Sequence, residues 1–168
     1  MFAKFAAATG LIATLFAGSA AFADTAKPLG KFGDWGAFAY SGKGGKVCYA
    51  VGKPKHSLGS SKVRNEVYLT ITHRPADKSF DVVSVTAGYA FKKDAVAELD
   101  IGGAKFDLYT TEDTAWARDD KAVVQALLKG KSVVVHGMPA KGDPTADTYS
   151  LDGFVQAHTE IGKACATK

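Results

Sequence analysis

The most reactive side chains in this sequence are two cysteines, Cys48 and Cys165, and four histidines, His56, His73, His136 and His158. A histidine becomes a metal ligand or a general base when another histidine, a cysteine or a carboxylate is held within its reach, and recognisable spacings on one helix or loop reveal such pairs. None of the four stands at such a spacing. His158 and Glu160, two positions apart in a predicted helix, project in different directions. Each histidine is therefore expected at the surface or in a hydrogen bond. The chain also lacks a GxSxG nucleophile elbow, a phosphate loop and a dinucleotide fingerprint. No catalytic residue, metal or cofactor is assigned, and a non-enzymatic protein is expected.

The chemistry open to the cysteines depends on the compartment, and the N-terminus indicates which one. Lys4 is followed by an uncharged stretch over residues 5–23 that ends in Ala21-Phe22-Ala23, with small residues where a signal peptidase reads them. Cleavage before Asp24 is predicted, with residues 24–168 as one exported domain, periplasmic or secreted. Thr9, Gly10, Thr14, Gly18 and Ser19 interrupt the apolar run too often for a membrane span of about 20 residues. No cysteine near the cleavage point offers a place for a lipid, so no stable membrane insertion is expected after cleavage. In an oxidising compartment two cysteines have one possible internal pairing, Cys48 with Cys165. Closing so long a loop stabilises a fold by about 4–5 kcal/mol in the chain-entropy picture.

Charge gives the remaining candidate. Loss of Lys4 lowers the formal net charge from +4 to +3, too small an excess to imply nucleic acid. The distribution is uneven. No acidic residue lies between Asp34 and Glu66, and residues 52–65, rich in Gly, Ser and Pro, read as a mobile basic loop in which Lys53, Lys55, Lys62 and Arg64 are candidates for contact with an anionic surface. Residues 94–120 are correspondingly acidic. Glu98, Asp100 and Asp107 share the polar face of one predicted hairpin, an oxygen-rich arrangement that Lys105 on the same face counters.

The elements that position these groups are mostly strands. Period-two alternation marks residues 35–40, 46–52, 66–74, 80–86, 97–101, 104–110, 132–138 and 147–151. In the third of these, Val67, Leu69 and Ile71 face one way while Tyr68, Thr70 and Thr72 face the other. Gly102-Gly103 fits a two-residue primed turn, which pairs Ile101 with Ala104, Leu99 with Phe106, Asp100 with Lys105, and Glu98 with Asp107. Residues 119–130 switch to helical spacing through Val123, Val124, Leu127 and Leu128, with Asp119 or Asp120 as N-cap and Gly130 as the stop. From Asp152 onward, Phe154, Ala157, Ile161 and Cys165 lie on one face of a C-terminal helix. The expected fold is mainly β: an antiparallel β-sandwich or partly open barrel with one inserted short helix and the C-terminal helix.

Several motifs resemble the invasion-associated locus B family of bacterial envelope proteins. They are Phe32-Gly33-Asp34-Trp35-Gly36-Ala37, Gly45-Lys46-Val47-Cys48-Tyr49, Ala115-Trp116-Ala117, and Tyr149-Ser150-Leu151-Asp152-Gly153-Phe154 before Cys165. The resemblance spans nearly all of residues 24–168 and carries no catalytic residue. It implies an exported protein that assists invasion of host cells through an envelope or host-surface partner. A second reading from another class is a periplasmic ligand-binding or inhibitor module, with an aromatic cleft built from residues such as Tyr49, Tyr68 or Trp116.

Overall fold

A computed structural model describes residues 26–59 and 64–166; the predicted signal segment and Lys62 lie outside the described residues. Eleven strands form one antiparallel sheet in the order β1-β2-β3-β5-β6-β9-β8-β7-β10-β11-β4. In chain order these are β1 (Lys27–Phe32), β2 (Trp35–Gly42), β3 (Gly45–Gly52), β4 (His56–Leu58), β5 (Tyr68–Arg74), β6 (Ser79–Thr86), β7 (Val96–Ile101), β8 (Ala104–Thr111), β9 (Thr114–Ala117), β10 (Ser132–Gly137) and β11 (Thr145–Ser150). The described residues also form helix α1 (Asp120–Lys129), helix α2 (Phe154–Cys165) and a single 3-10 turn at Pro75–Asp77.

The sheet is open, and its two ends curl toward each other. Strands β2 and β11 stand eight steps apart, a separation of about 38 Å in a flat sheet at about 4.8 Å per step. Yet the Trp35 indole Nε1 donates to the Ser150 carbonyl at 2.9 Å, and the Asp34 amide donates to the Asp152 carbonyl at 3.1 Å. The architecture is thus one curled sheet, closer to the partly open barrel than to the sandwich. Gly153 sits in this seam with φ +83°, and a Cβ there would fall 1.9 Å from the Phe32 carbonyl oxygen, so only glycine fits the close approach. Two of the family-like motifs, around Trp35 and around Gly153, are therefore the two sides of one seam.

Helix α2 packs across the inner face of β1, β2, β3 and β5. Phe154, Ala157, Ile161 and Cys165 are all buried there, opposite Ala37, Ala39, Cys48, Ala50 and Ile71. The small strand residues let the helix approach closely, and the Trp35 and Phe154 rings meet at 4.7 Å. Cys48 and Cys165 form a disulfide with their Cα atoms 5.9 Å apart, and the Lys46 amino group donates to the Ala164 carbonyl beside it.

Local expectations match closely where short-range chemistry decides the structure. The Gly102-Gly103 hairpin has the anticipated register, and the pairing runs on to Val96 and Tyr109. The like-charge pair of Glu98 and Asp107 is relieved diagonally, with Lys105 Nζ 2.8 Å from Glu98 Oε1, while Asp100 accepts the Gly103 amide at 2.8 Å. Asp119 caps α1 by accepting the Ala122 amide at 3.0 Å, and Asp120 accepts the Val83 amide at 2.8 Å, tying the helix start to β6.

The segment read as a basic loop requires correction. Residues 56–58 are strand β4, paired with β11 through His56 to Thr148, Ser57 to Asp147 and Leu58 to Ala146. One edge of β11 pairs with β10, and β4 supplies partners for the backbone groups on the other. Strands β1 and β9 are further elements that the alternation did not mark.

Candidate functional site

Strands β2 and β3 alternate between two faces along most of their length, and β5 does so from Tyr68 to Ile71, after which Thr72 and His73 are both buried. The inward row runs Ala37, Ala50, Ile71 and Val83 across β2, β3, β5 and β6, and all four are fully buried. The next row outward runs Phe38, Tyr49, Thr72 and Val82, and the one beyond Ala37 runs Gly36, Val51, Thr70, Ser84 and Trp116. The outer face thus gathers Phe38, Tyr49, Tyr68 and Trp116 at intermediate burial. Phe38 and Tyr49 stack with centroids 5.3 Å apart and planes 17° from parallel.

Two adjoining depressions open on this face. The first, about 350 Å³, has Gly30 and Gly36 in its lining with Phe38, Tyr68, Lys31 and Lys53. The second, about 450 Å³, shares Phe38, Val51, Lys53 and Tyr68 and adds Tyr49 and Thr70. Of the aromatic residues proposed for a cleft, Tyr49 and Tyr68 line these depressions. Trp116 shares the face but lies two strands beyond β5.

The candidate basic residues separate into different environments. Lys53 lies over the Tyr68 ring at 5.3 Å and pairs with Glu66 Oε1 at 3.3 Å. The Tyr68 hydroxyl donates to Glu66, and this bond together with Lys53 holds the Glu66 carboxyl below its ordinary range. Lys55 pairs with Asp34 at 2.7 Å and lowers the Asp34 carboxyl. Arg64 does not present its charge outward. Its guanidinium forms a fork with Asp147, Nη1 to Oδ1 and Nη2 to Oδ2 both at 2.7 Å, while Nε donates to the Ala87 carbonyl at 2.9 Å. Only 11% of the Arg64 side chain and 2% of the Asp147 side chain remain exposed. The physical reason lies on β11: the buried Asp147 carboxylate requires a charged, hydrogen-bonding partner, and Arg64 supplies it while lying against the Tyr89 ring at 4.9 Å. The basic segment is therefore not a free cationic tether, and Arg64 is withdrawn from its candidate contacts.

A cluster that no sequence spacing revealed joins His73 on β5, Asp81 on β6 and His158 on α2. Asp81 sits where the register of β5 and β6 shifts, at φ +59°, a bulge that turns its carboxylate toward both rings. His158 Nε2 is 2.7 Å from Asp81 Oδ1 and His73 Nε2 is 3.9 Å from the same oxygen. All three donor atoms lie within 4.8 Å of one another, a spacing open to a metal ion. The protonation pattern favours another use. The Asp81 amide donates to His73 Nδ1 at 3.0 Å, so neutral His73 carries its proton on Nε2, facing the carboxylate. A metal-bound Nε2 needs the opposite tautomer, with Nδ1–H donating outward. Asp81 links the two imidazoles through different atoms, its carboxylate pairing with His158 on α2 and its amide donating to His73 on β5, and so straps α2 to β5 and β6. Burial pushes the His73 imidazole below its ordinary value.

The fold and motifs have counterparts among known proteins. No curated protein sequence matches the chain. The crystal structure of invasion associated protein B from Bartonella henselae is similar, with a TM-score of 0.57 and 20% identity over 80% of this chain and 95% of that one. The profile described as "Invasion associated locus B (IalB) protein" matches residues 35–162, which hold the seam tryptophan, Cys48 on β3 and most of α2. The chain belongs to the invasion-associated locus B family.

Proposed function

We propose that this protein is an exported, non-enzymatic envelope protein that supports interaction with host cells by binding a partner through the outer face of β2, β3 and β5. Export rests on the signal-like residues 1–23 and agrees with a buried disulfide, which persists in oxidising compartments. The observation that carries the binding assignment is the placement of Phe38, Tyr49 and Tyr68 on the solvent side of a sheet whose core side is filled by alanines and aliphatics. A sheet with one wet face ordinarily shows polar residues there, and a contiguous aromatic patch marks an interaction surface.

The test is a strain producing the Phe38→Thr, Tyr49→Thr double variant in place of the native protein. Threonine suits an exposed strand, so export and disulfide formation are expected to persist while association with host cells falls to the level of a deletion strain. Native-level association by a correctly exported variant would overturn the assignment.

The aromatic depressions also favour a ligand-binding module as a second reading. In that case the same face takes a small molecule and the deletion phenotype lies in the envelope itself.

A further inference from the structure

The depression beside Phe38 is specific enough to suggest a ligand class, an inference that rests on the outer face being the binding surface. The rings of Phe32 and Phe38 fold down onto the bare backbone of Gly30 and Gly36, and a shallow trough lined by both glycines runs beside the Phe38 ring. Phe38 and Tyr68 border it. Two cations, Lys31 and Lys53, line the trough against one carboxylate, Asp34, and Asp34 is already held by Lys55 at 2.7 Å. Lys53 is itself positioned by the Tyr68 ring and by Glu66.

We propose that this trough binds an acidic saccharide unit, with the sugar ring lying against Phe38 and its carboxylate between Lys31 and Lys53. The weakly positive C–H face of a pyranose is attracted to the negative face of an aromatic ring. Its hydroxyls match the Tyr49 hydroxyl and Thr70 in the adjoining depression. A volume of about 350 Å³ stands at the small end of ligand sites. The trough is also partly open to solvent, which suits one unit of a longer glycan. A lipid acyl chain would instead require an enclosed apolar channel, and the lysines and tyrosine hydroxyls at the rim do not provide one.

The experiment is a titration of the folded protein, followed by amide NMR shifts, with three probes. These are a tetrasaccharide alternating glucuronate and N-acetylglucosamine, a neutral N-acetylglucosamine tetrasaccharide, and phosphatidylglycerol vesicles. The acidic tetrasaccharide should shift Gly36, Val51 and Tyr68 and bind at least tenfold tighter than the neutral one. Lys31→Gln with Lys53→Gln should weaken it about tenfold, with an unchanged spectrum elsewhere. Absence of binding, equal binding of both saccharides, indifference to the two lysine replacements, or binding to the vesicles alone would each overturn the assignment. Failure here is separable from failure of the binding face. If the acidic saccharide does not bind but the Phe38→Thr, Tyr49→Thr variant still loses host-cell association, the face stands and its ligand is of another class.

Discussion

Ala37 and Phe38 are consecutive residues on β2, yet they belong to two different surfaces. Ala37, its partner Ala50, and Ile71 beyond Ala50 in the same row are fully buried beneath α2. Phe38 and its partner Tyr49 face outward. Burial alone would favour the reverse arrangement, with rings inside and small residues outside. The inner face keeps small side chains because a helix must come close enough for Cys165 to reach Cys48. The outer face carries rings that no element of the described fold covers. Comparison of the two faces separates residues that hold the sheet from residues left free to bind.

The largest effect should come from the inner face. Replacing both Cys48 and Cys165 with serine should cost about 2–5 kcal/mol, as for native bridges in small exported domains. Calorimetry should show an earlier melt, and limited proteolysis should cut first in α2, whose 12 residues are at the length where an isolated helix is marginal, about 12–15. Two free thiols in the mass spectrum of the exported protein, or an unchanged melt, would refute this account of the inner face.

A smaller, pH-dependent effect is expected at the strap between α2 and the sheet. Burial holds His73 below its ordinary 6.5, and the charged or titratable groups around it are Asp81 on β6, His158 on α2 and, next to Asp81, Asp120 on α1. With the folded value lower, the unfolded chain takes up the proton first as pH falls. Stability from this group is therefore intact above about 6.5 and is lost as pH drops through the folded value. Protonation at Nδ1 also removes the acceptor for the Asp81 amide. Urea midpoints measured at several pH values should fall below neutrality for the native protein and fall less for His73→Asn, whose side-chain oxygen keeps the acceptor. Parallel pH curves would contradict this role.

The smallest effect on stability should come from the outer face. The Phe38→Thr, Tyr49→Thr variant loses one stacked aromatic pair, worth about 1 kcal/mol beyond its area, so its melting temperature should shift much less than that of the cysteine variant. A loss as large as that of the disulfide would mean that the rings hold the sheet, and the contrast between the faces would dissolve.

Much of the molecule could be read from the chain where neighbours in sequence are neighbours in space. The Gly102-Gly103 turn fixes its hairpin locally, Asp119 caps the helix that follows it, and the i, i+3, i+7, i+11 face of α2 points Cys165 inward. Alternation in β5 likewise placed Tyr68 and Thr70 opposite Leu69 and Ile71. Elements stabilised only by distant partners were not visible. The three residues of β4 become a strand because β11 offers an edge some 90 positions away. Lys31 could not be assigned to a trough because β1, with Pro28 and Gly30, lacks a strand's composition. Arg64 looked like a surface cation because nothing near it in sequence shows that Asp147 is buried. His73, Asp81 and His158 meet only through a bulge and a helix docked from the far end of the chain.

The seam and the bridge also set an order of events for a chain made from its N-terminus. Trp35 waits for Ser150, 115 positions later, and Cys48 waits for Cys165 across 117. Such distant pairings make folding slow, since loop-closure entropy is lost before the contacts form. Until the last helix arrives, β2 and β3 expose the alanine face that α2 will cover, and the Cys48 thiol has no native partner. During that interval Cys48 is open to mixed disulfides with other thiols, and a chain stalled short of Cys165 would keep both the exposed face and the unpaired sulfur.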